Sequence, residues 1–195
     1  MTLPFQVAFR YLAYSRGMET AERYDSTTIA LHWTVALLIA CQWIGGQTID
    51  WFAKGTPRVD ARSVHLVTGS LLIAVIALRL WWRLGPGRRL APANSGAWDM
   101  LAQVLHVLLY LVVVAVLVGG AATELLRGDS FFGLLQLPKP GNLVGPARNA
   151  WSERIGDLHG LGANTILVLA GLHAAAALFH HYVLKDTVLR RMFAR

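Results

Sequence analysis

Four long apolar segments, separated by short polar stretches, constrain the fold of this chain more than any other feature. They cover approximately residues 27–49, 63–84, 98–125 and 155–184. Each is at least as long as the roughly 20 residues that a helix needs to cross the hydrocarbon core of a bilayer. The runs are continuous and lack the alternation of barrel strands. They predict an all-α integral membrane protein, a bundle of four transmembrane helices.

The composition agrees with a membrane protein that has little else attached. Of 195 residues, 55% are hydrophobic and only 15% are charged. We therefore predict an N-terminal cytoplasmic extension over residues 1–24 and one transmembrane domain over residues 25–191, with Met1 and Met18 both candidate start sites. The single cysteine, Cys41, excludes a disulfide or a cysteine-held iron–sulfur cluster within the chain, and we expect it in the core.

Two serines and one Gly-Pro-Gly stretch are candidate signals for the ends of the helices. Ser26 and Ser63 precede or open apolar runs and are expected N-caps, because serine hydroxyls accept hydrogen bonds from the first free amides of a helix. Gly85, Pro86 and Gly87 are expected to stop the second helix.

The distribution of Lys and Arg predicts the orientation in the membrane. With a cytoplasmic N-terminus, eleven lie on the cytoplasmic side and seven on the other: Arg10, Arg16, Arg23, Arg79, Arg83, Arg88, Arg89, Lys185, Arg190, Arg191 and Arg195, against Lys54, Arg58, Arg62, Arg127, Lys139, Arg148 and Arg154. The positive-inside rule then favours both termini in the cytoplasm. The net charge of +7 indicates anionic lipid headgroups as partner, and we expect no nucleic-acid binding.

Histidines carry the strongest functional signal. All seven lie within or at the edge of the apolar segments: His32, His65, His106, His159, His173, His180 and His181. Polar groups inside a membrane are costly and mark cofactors, proton relays or ion paths.

Spacing on the fourth segment indicates two cofactor sites. His159 and His173 are 14 residues apart, so they share one helix face and lie roughly 21 Å apart along its axis. Two stacked haems b, one near each membrane surface, would need such a pair of ligands. Chain direction pairs His65 with His159 for an outer haem and His32 with His173 for an inner one, although by depth alone His180 competes with His173.

Three further residues are candidates for supporting roles. Arg79 returns to the face of His65 near the inner haem and is a candidate partner of a haem propionate, or else an arginine that reaches the headgroups. His106 and His180, expected at a similar level, are candidates for a quinone site, because histidine supplies both hydrogen bonds and protons. The alternative for His106 is a hydrogen bond between helices.

Several motifs resemble the bacterial cytochrome b561 family, which is related to the cytochrome b subunits of nickel–iron hydrogenases. They are Arg23-Tyr24, Ile29-Ala30-Leu31-His32-Trp33, Val64-His65-Leu66-Val67-Thr68-Gly69, His106 through Tyr110, and Gly171-Leu172-His173 running into His180-His181-Tyr182 and Lys185-Asp186. The resemblance covers residues 23–191, and the last motif is the most specific.

The resemblance implies a protein of the bacterial inner membrane with two haems b, held by His32, His65, His159 and His173, that exchanges electrons with ubiquinone. It also implies a superoxide oxidase activity, in which a periplasmic superoxide anion is the donor and Lys54, Arg58 and Arg62 attract it. The sequence departs from the family in its N-terminal stretch and third connection, so a redox partner protein stays an alternative donor.

Two other functions stay open. One is a membrane anchor that takes electrons from a hydrogenase or another dehydrogenase. The other is an ion or metal transporter lined by histidines; transporters of that kind need acidic groups deep in their spans, whereas Asp99, Glu124 and Asp157 lie near the segment ends.

Overall fold

Four helices dominate the structure, a computed structural model that describes residues 23–92, 96–136 and 145–193. They are α1 (Ser26–Thr48), α2 (Thr56–Leu84), α3 (Ala97–Arg127) and α4 (Gly145–Tyr182), with 3-10 turns at Ile49–Trp51 and Leu189–Met192. All four are long and apolar enough to cross a membrane. The prediction of an all-α membrane bundle is confirmed. Of the predicted extension over residues 1–24, residues 1–22, with Met1 and Met18, lie outside the described part of the chain.

Two helices begin earlier than the apolar runs that predicted them. α2 starts at Thr56 and α4 at Gly145, whereas the apolar runs start at residues 63 and 155. A helix continues for as long as its backbone hydrogen bonds do, while an apolar run ends where polar side chains begin. The extra turns carry Arg58 and Arg62 on α2, and Arg148 and Arg154 on α4.

Neither serine expected to cap a helix does so. Asp25, not Ser26, caps α1, where its carboxylate accepts hydrogen bonds from the amide and hydroxyl of Thr28 at 2.8 and 2.7 Å. α2 begins instead with Pro57 in its first turn, a position where the missing N–H of proline costs nothing. Its C-terminal stop is confirmed, since α2 ends at Leu84 and the amide of Gly85 caps it.

Ser63 has a different role, because it is the most deeply buried side chain described, at 0% exposure. Its hydroxyl accepts a hydrogen bond from the amide of Phe132 at 2.8 Å and lies 3.1 Å from the carbonyl of Ser130. Those residues belong to a small hairpin, β1 (Ser130–Phe131) and β2 (Leu135–Gln136), the only sheet among the described residues. Ser63 therefore fastens the connection after α3 onto α2.

Packing joins the helices as two antiparallel hairpins, α1 with α2 and α3 with α4, and α1 also touches α4. A small apolar core lies where all four helices meet, formed by Val35, Leu72, Ile76, Val113 and Ile166. Ile166 is seven residues from both His159 and His173, or about two turns from each. The core therefore separates two histidine levels.

Much of the apolar surface faces outward. Leu37, Val118 and Val168 are each more than 60% exposed in the middle of their helices, as expected of side chains that contact lipid. Cys41 is also exposed, so the expectation of a core position was wrong. A small residue in an apolar run faces lipid as readily as it faces the core.

The bundle has two ends, named here by the chain segments they hold. The terminal end contains residue 23, the α2–α3 connection and the tail after α4, and the tail is fastened there by a hydrogen bond from the Trp33 indole to the carbonyl of Met192 at 2.9 Å. The distal end contains the α1–α2 connection and the β1–β2 hairpin.

Candidate functional site

A first histidine pair lies toward the distal end, between α2 and α4. The ring centres of His65 and His159 are 6.2 Å apart, with the ring planes 85° to one another. Nδ1 of His159 lies 2.9 Å from the carbonyl oxygen of Val116 on α3. A carbonyl only accepts, so His159 carries its proton on Nδ1, and Nε2 keeps its lone pair as a ligand atom.

Gly120 makes that hydrogen bond possible. A Cβ at Gly120 would lie 2.8 Å from Cε1 and 3.0 Å from Nδ1 of His159. In a helix the residue four positions on covers a carbonyl, so a glycine at 120 leaves the carbonyl of Val116 open to the imidazole. Across the pair, Gly45 and Gly46 face the ring of His65, where a Cβ would make ordinary contacts of 3.5 and 3.4 Å.

The backbone around His65 is held by a polar network inside the bundle. Gln42 on α1 donates to the carbonyl of His65 at 3.0 Å and accepts from the hydroxyl of Thr68 at 2.7 Å. Gly69 leaves space for the side chain of Gln42, since a Cβ at residue 69 would lie 2.6 Å from the side-chain amide nitrogen of Gln42. The buried Nδ1 of His65 itself makes no hydrogen bond to the part of the chain described.

A second pair lies toward the terminal end, between α1 and α4. The rings of His32 and His173 also have centres 6.2 Å apart, with planes at 63°. Arg79 on α2 donates to Nδ1 of His32 at 3.0 Å, and its guanidinium lies 5.6 Å from the ring centre of Tyr110 on α3. Because arginine only donates, Nδ1 of His32 is the acceptor in this contact, and its neutral ring carries the proton on Nε2.

The two remaining sequence candidates lie at different levels. His106 is beside the terminal pair, 5.2 Å from the ring centre of His173, and the expectation of a level near His180 was wrong. His180 instead contacts Trp98 at 6.0 Å and the carboxylate of Asp186. Trp98 precedes His106 by eight residues on α3, or roughly 12 Å along the helix. On α4, His173 and His180 are about two turns apart, and their contacts on α3, His106 and Trp98, are separated in the same way. His173, not His180, is the residue beside His32.

Both pairs have the spacing of two imidazoles on one metal ion. Two ring nitrogens that bind a metal from opposite sides at about 2 Å hold their ring centres roughly 6 Å apart, in agreement with the 6.2 Å of each pair. Among residues 23–92, 96–136 and 145–193, no three His, Cys, Asp or Glu side chains group as a metal ion would need. Two histidines meet at the distal level, and at the terminal level His106 is a third ring beside the His32–His173 pair. Two imidazoles are the donor set of a six-coordinate haem b.

The basic residues expected to attract superoxide all lie at the distal end, in different settings. Arg58 donates to the carbonyls of Phe52 and Asp50 and pairs with the Asp50 carboxylate at 3.4 Å. Arg62 pairs with Asp129 at 3.5 Å and lies one turn before His65 on the same helix face. Lys54 is exposed.

The sequence analysis assigned no role to Gly120, Gln42 or Asp186, although Asp186 stands in the last of the family-like motifs. A usable signal was present, since Gly45-Gly46 and Gly119-Gly120 are glycine pairs inside apolar helices, where glycine is unfavourable without a packing reason.

Comparison with known proteins identifies the family. The family model for prokaryotic cytochrome b561 matches residues 23–195. The chain is 31% identical to "Probable superoxide oxidase CybB" of Yersinia pestis, over 89% of this chain and 97% of that protein. It is equally similar to "Cytochrome b561 homolog 1" of Escherichia coli K12, at 31% over 89% and 98% of the two chains. "Cytochrome b562" of Cereibacter sphaeroides is 29% identical over 87% and 94%.

The family-model match spans the described bundle and includes both histidine pairs. Together with the relatives, it makes the protein an oxidoreductase of electron transport, a multi-pass bacterial membrane protein of a type that binds haem b. The chain belongs to the prokaryotic cytochrome b561 family.

Proposed function

We propose that this protein carries electrons across the bacterial inner membrane through two haems b, from superoxide at the distal end to ubiquinone at the terminal end. The observation that carries the proposal is the pair of histidine levels on α4, each with a partner imidazole at 6.2 Å. The membrane domain of this proposal is residues 25–191, with residues 1–24 as a cytoplasmic extension.

His65 and His159 would hold the distal haem, and His32 and His173 the terminal one. A haem b held by two imidazoles is six-coordinate and supplies one-electron exchange without an open position for oxygen. The protein's own residues orient the ligands: the carbonyl of Val116 fixes the ring of His159 with Nε2 available. Such outer partners set both ring orientation and ligand strength.

The terminal pair differs from the distal pair in the partner of its ligand ring. Nδ1 of His32 accepts a hydrogen bond from Arg79, whereas a histidine that would hold iron through Nε2 carries its proton on Nδ1. With a haem held by His32 and His173, the guanidinium of Arg79 would need a different acceptor. A haem propionate is the acceptor that suits it best, because guanidinium and carboxylate form paired hydrogen bonds.

The orientation follows from the charges. The excess of Lys and Arg at the terminal end favours a cytoplasmic position for that end. The distal end then faces the periplasm with Lys54, Arg58 and Arg62. Arg58 and Arg62 are already paired with carboxylates, so of the three the exposed Lys54 has the side chain best placed to raise the local concentration of an anion such as superoxide.

The acceptor site is proposed at the terminal end, near His106 and His180. Transfer of one electron from superoxide releases dioxygen and needs no proton, whereas reduction of ubiquinone to ubiquinol takes two electrons and two protons. Proton-carrying groups are therefore needed only at the quinone end. His106 lies against the terminal pair and His180 lies closer to the membrane surface.

Haem content tests the central claim. The purified protein should give two haems b per chain in a pyridine haemochrome assay, and His65→Ala and His173→Ala should each give about one. His181→Ala is the matched control, because His181 is on α4 but in neither pair, and it should keep two. Loss of haem from the control alone, or a wild-type protein without haem, would contradict the assignment, and the latter would favour a transporter.

A second measurement tests the donor. Superoxide generated at the distal face of proteoliposomes should reduce ubiquinone inside the bilayer without any other protein. A haem-loaded protein that superoxide does not reduce, but that co-purifies with a soluble dehydrogenase, would instead be a membrane anchor for that enzyme.

A further inference from the structure

His180 and Asp186 form a close side-chain contact at the terminal end that neither haem pair uses. Nδ1 of His180 and one carboxylate oxygen of Asp186 are 2.5 Å apart, and the other carboxylate oxygen accepts from the amide of Val188 at 3.0 Å. An ionised carboxylate only accepts, so His180 carries a proton on Nδ1. Both oxygens of the aspartate are therefore engaged, and the imidazole is held in one orientation.

The backbone after α4 turns back and brings the Asp186 carboxylate to His180. α4 ends at Tyr182, and Lys185 has φ 54°, in the left-handed region that residues other than glycine seldom adopt. The turn brings the amide of Asp186 to the carbonyl of His180 at 3.1 Å. A strained backbone position persists only where the surroundings enforce it, and such positions cluster at functional sites.

Aromatic rings enclose the contact without burying it completely. The side chains of His180 and Asp186 are 12% and 21% exposed. Trp98 on α3 meets the ring of His180 nearly edge-on, with ring centres 6.0 Å apart, and Phe179 lies 6.4 Å away. An imidazole at such a position borders both the apolar layer, where a quinone resides, and the aqueous face, from which protons come.

We propose that Asp186 is a positioning residue, which holds His180 with Nδ1 protonated so that Nε2 exchanges the protons of ubiquinone reduction. This inference rests on the proposed function, which supplies the two electrons. His180 with both nitrogens protonated is a cation; it gives its Nε2 proton to a quinone carbonyl oxygen and becomes neutral, with Nδ1–H still donated to Asp186. Water at the terminal face then reprotonates Nε2. Two such transfers, with two electrons, convert the quinone to the quinol.

The aspartate matters because it removes the choice of tautomer. A neutral histidine without a fixed partner distributes its proton over both nitrogens. With Nδ1–H bound to a carboxylate, each neutral ring is ready to accept at Nε2, and each protonated ring can release its proton only from there. The same logic lets an outer-shell carboxylate orient metal-binding and catalytic histidines.

Reoxidation of the reduced protein by quinone tests the proposal. The haem-loaded protein is reduced chemically without oxygen, freed of reductant and mixed with short-chain ubiquinone, and haem absorbance is followed at increasing quinone concentration. We expect Asp186→Asn to lower the saturating rate about tenfold or more and to change the half-saturating concentration by less than about twofold. Asp186→Glu should restore most of the rate.

Asp99→Asn is the matched control. Asp99 is also at the terminal end, one residue from Trp98, and its carboxylate accepts a hydrogen bond from Gln103 at 2.8 Å. It should behave as wild type. An equal loss in Asp99→Asn, or no rescue by Asp186→Glu, would overturn the specific role of Asp186.

A spectroscopic measurement on the wild-type protein tests the tautomer of His180 directly, without a kinetic readout. ¹⁵N NMR of histidine side chains, with the His180 signals assigned from a His180→Gln sample, should show neutral His180 only as the Nδ1–H tautomer. Asp186→Asn should show a mixture. A wild-type mixture would overturn the proposal.

The kinetic results distinguish a failure of the role of Asp186 from a failure of the proposed function. A wild-type protein whose reduced haems are not oxidised by ubiquinone contradicts the quinone part of the proposed function. A wild-type protein that reacts with quinone, and an Asp186→Asn variant that reacts equally fast, contradicts only the role of Asp186.

Discussion

The two histidine pairs have the same spacing but opposite hydrogen-bonding environments. In both, the ring centres are 6.2 Å apart. The distal ring of His159 donates to a backbone carbonyl, whereas the terminal ring of His32 accepts from the Arg79 guanidinium. The first contact is neutral and leaves Nε2 ready to bind a metal, and the second places a cation beside the pair and the proton on Nε2.

The two ends of the bundle therefore differ in the groups that surround their histidines. The distal pair is shaped by the backbone carbonyl of Val116 and by the missing side chain at Gly120, so its geometry depends on close packing of α3 against α4. The terminal pair has polar side chains beside it, Arg79 and His106, and the His180–Asp186 contact lies about two turns farther along α4. Under the proposed function, electrons would enter at the distal end, where no proton is needed, and protons would be needed only at the terminal end.

The largest expected effect would come from a methyl group at the distal site. Gly120→Ala places a Cβ 2.8 Å from the ring of His159. The ring is held there by its hydrogen bond to the carbonyl of Val116, so the clash forces the ring to move and breaks that hydrogen bond. We expect haem affinity at the distal site to fall about 10- to 100-fold, measured by transfer of haem to apomyoglobin.

Gly119→Ala is the control for that change. Its Cβ would lie 3.8 Å from Cβ of His159, an ordinary contact, and both haems should stay bound. Equal haem loss from the two variants would show that helix packing in general, and not the clearance at Gly120, governs the distal site.

The next effect tests how the distal end is held. Ser63→Ala removes the acceptor of the Phe132 amide. Because Phe132 is 46% exposed, water can replace part of this contact, and the expected cost is that of one ordinary hydrogen bond, about 0.5–1.5 kcal/mol. Thermal unfolding in detergent should show the loss. Ser70→Ala removes an exposed hydroxyl from the same helix and should change the unfolding temperature little. If Ser70→Ala lowers the unfolding temperature as much as Ser63→Ala does, the lost hydrogen bond to the hairpin is not the cause of the Ser63→Ala effect.

A redox titration sharpens the contrast between the pairs. Arg79→Gln removes the cation beside the terminal pair, and a positive charge favours the reduced form of a nearby haem. The terminal midpoint potential should fall by on the order of 50 mV, and the distal one should stay unchanged. Arg83→Gln, one turn on and exposed, should move neither. A shift of both haems would mean that Arg79 acts on the whole bundle.

The sequence sufficed for the fold because bilayer thickness imposes a simple length and hydropathy rule. It also predicted which histidines meet, His65 with His159 and His32 with His173, since helix direction and a 14-residue interval determine level and face. Their role as haem ligands stays a prediction until haem content is measured.

The contacts that support the pairs lay beyond this reasoning. That Val116 offers a backbone carbonyl, or that Lys185 turns the chain so that Asp186 reaches His180, depends on side-chain packing and one backbone angle. Helix starts were also misplaced, because hydropathy marks the apolar part of a helix and Asp25, Pro57 and Gly145 lie outside it.

The smallest expected effect depends on pH and on the terminal end. Burial alone raises the pKa of Asp25, but hydrogen bonds from Thr28, Arg88 and Trp82 outweigh it and lower the pKa from 3.8 to about 2. The folded state therefore prefers the carboxylate. Its stabilisation is complete above the unfolded pKa near 4 and is lost as pH falls toward the folded value near 2.

Asp25→Ala should accordingly destabilise the protein by about 1 kcal/mol at neutral pH, the usual cost of losing a helix cap, and the difference from wild type should shrink below pH 4. Unfolding in detergent across this range measures it. Asp50→Ala is the distal counterpart, since the Asp50 side chain is 83% exposed in its pair with Arg58 and exposed pairs contribute little. A pH-independent deficit in Asp25→Ala would mean that the aspartate acts by its shape and its hydrogen bonds and not by its charge.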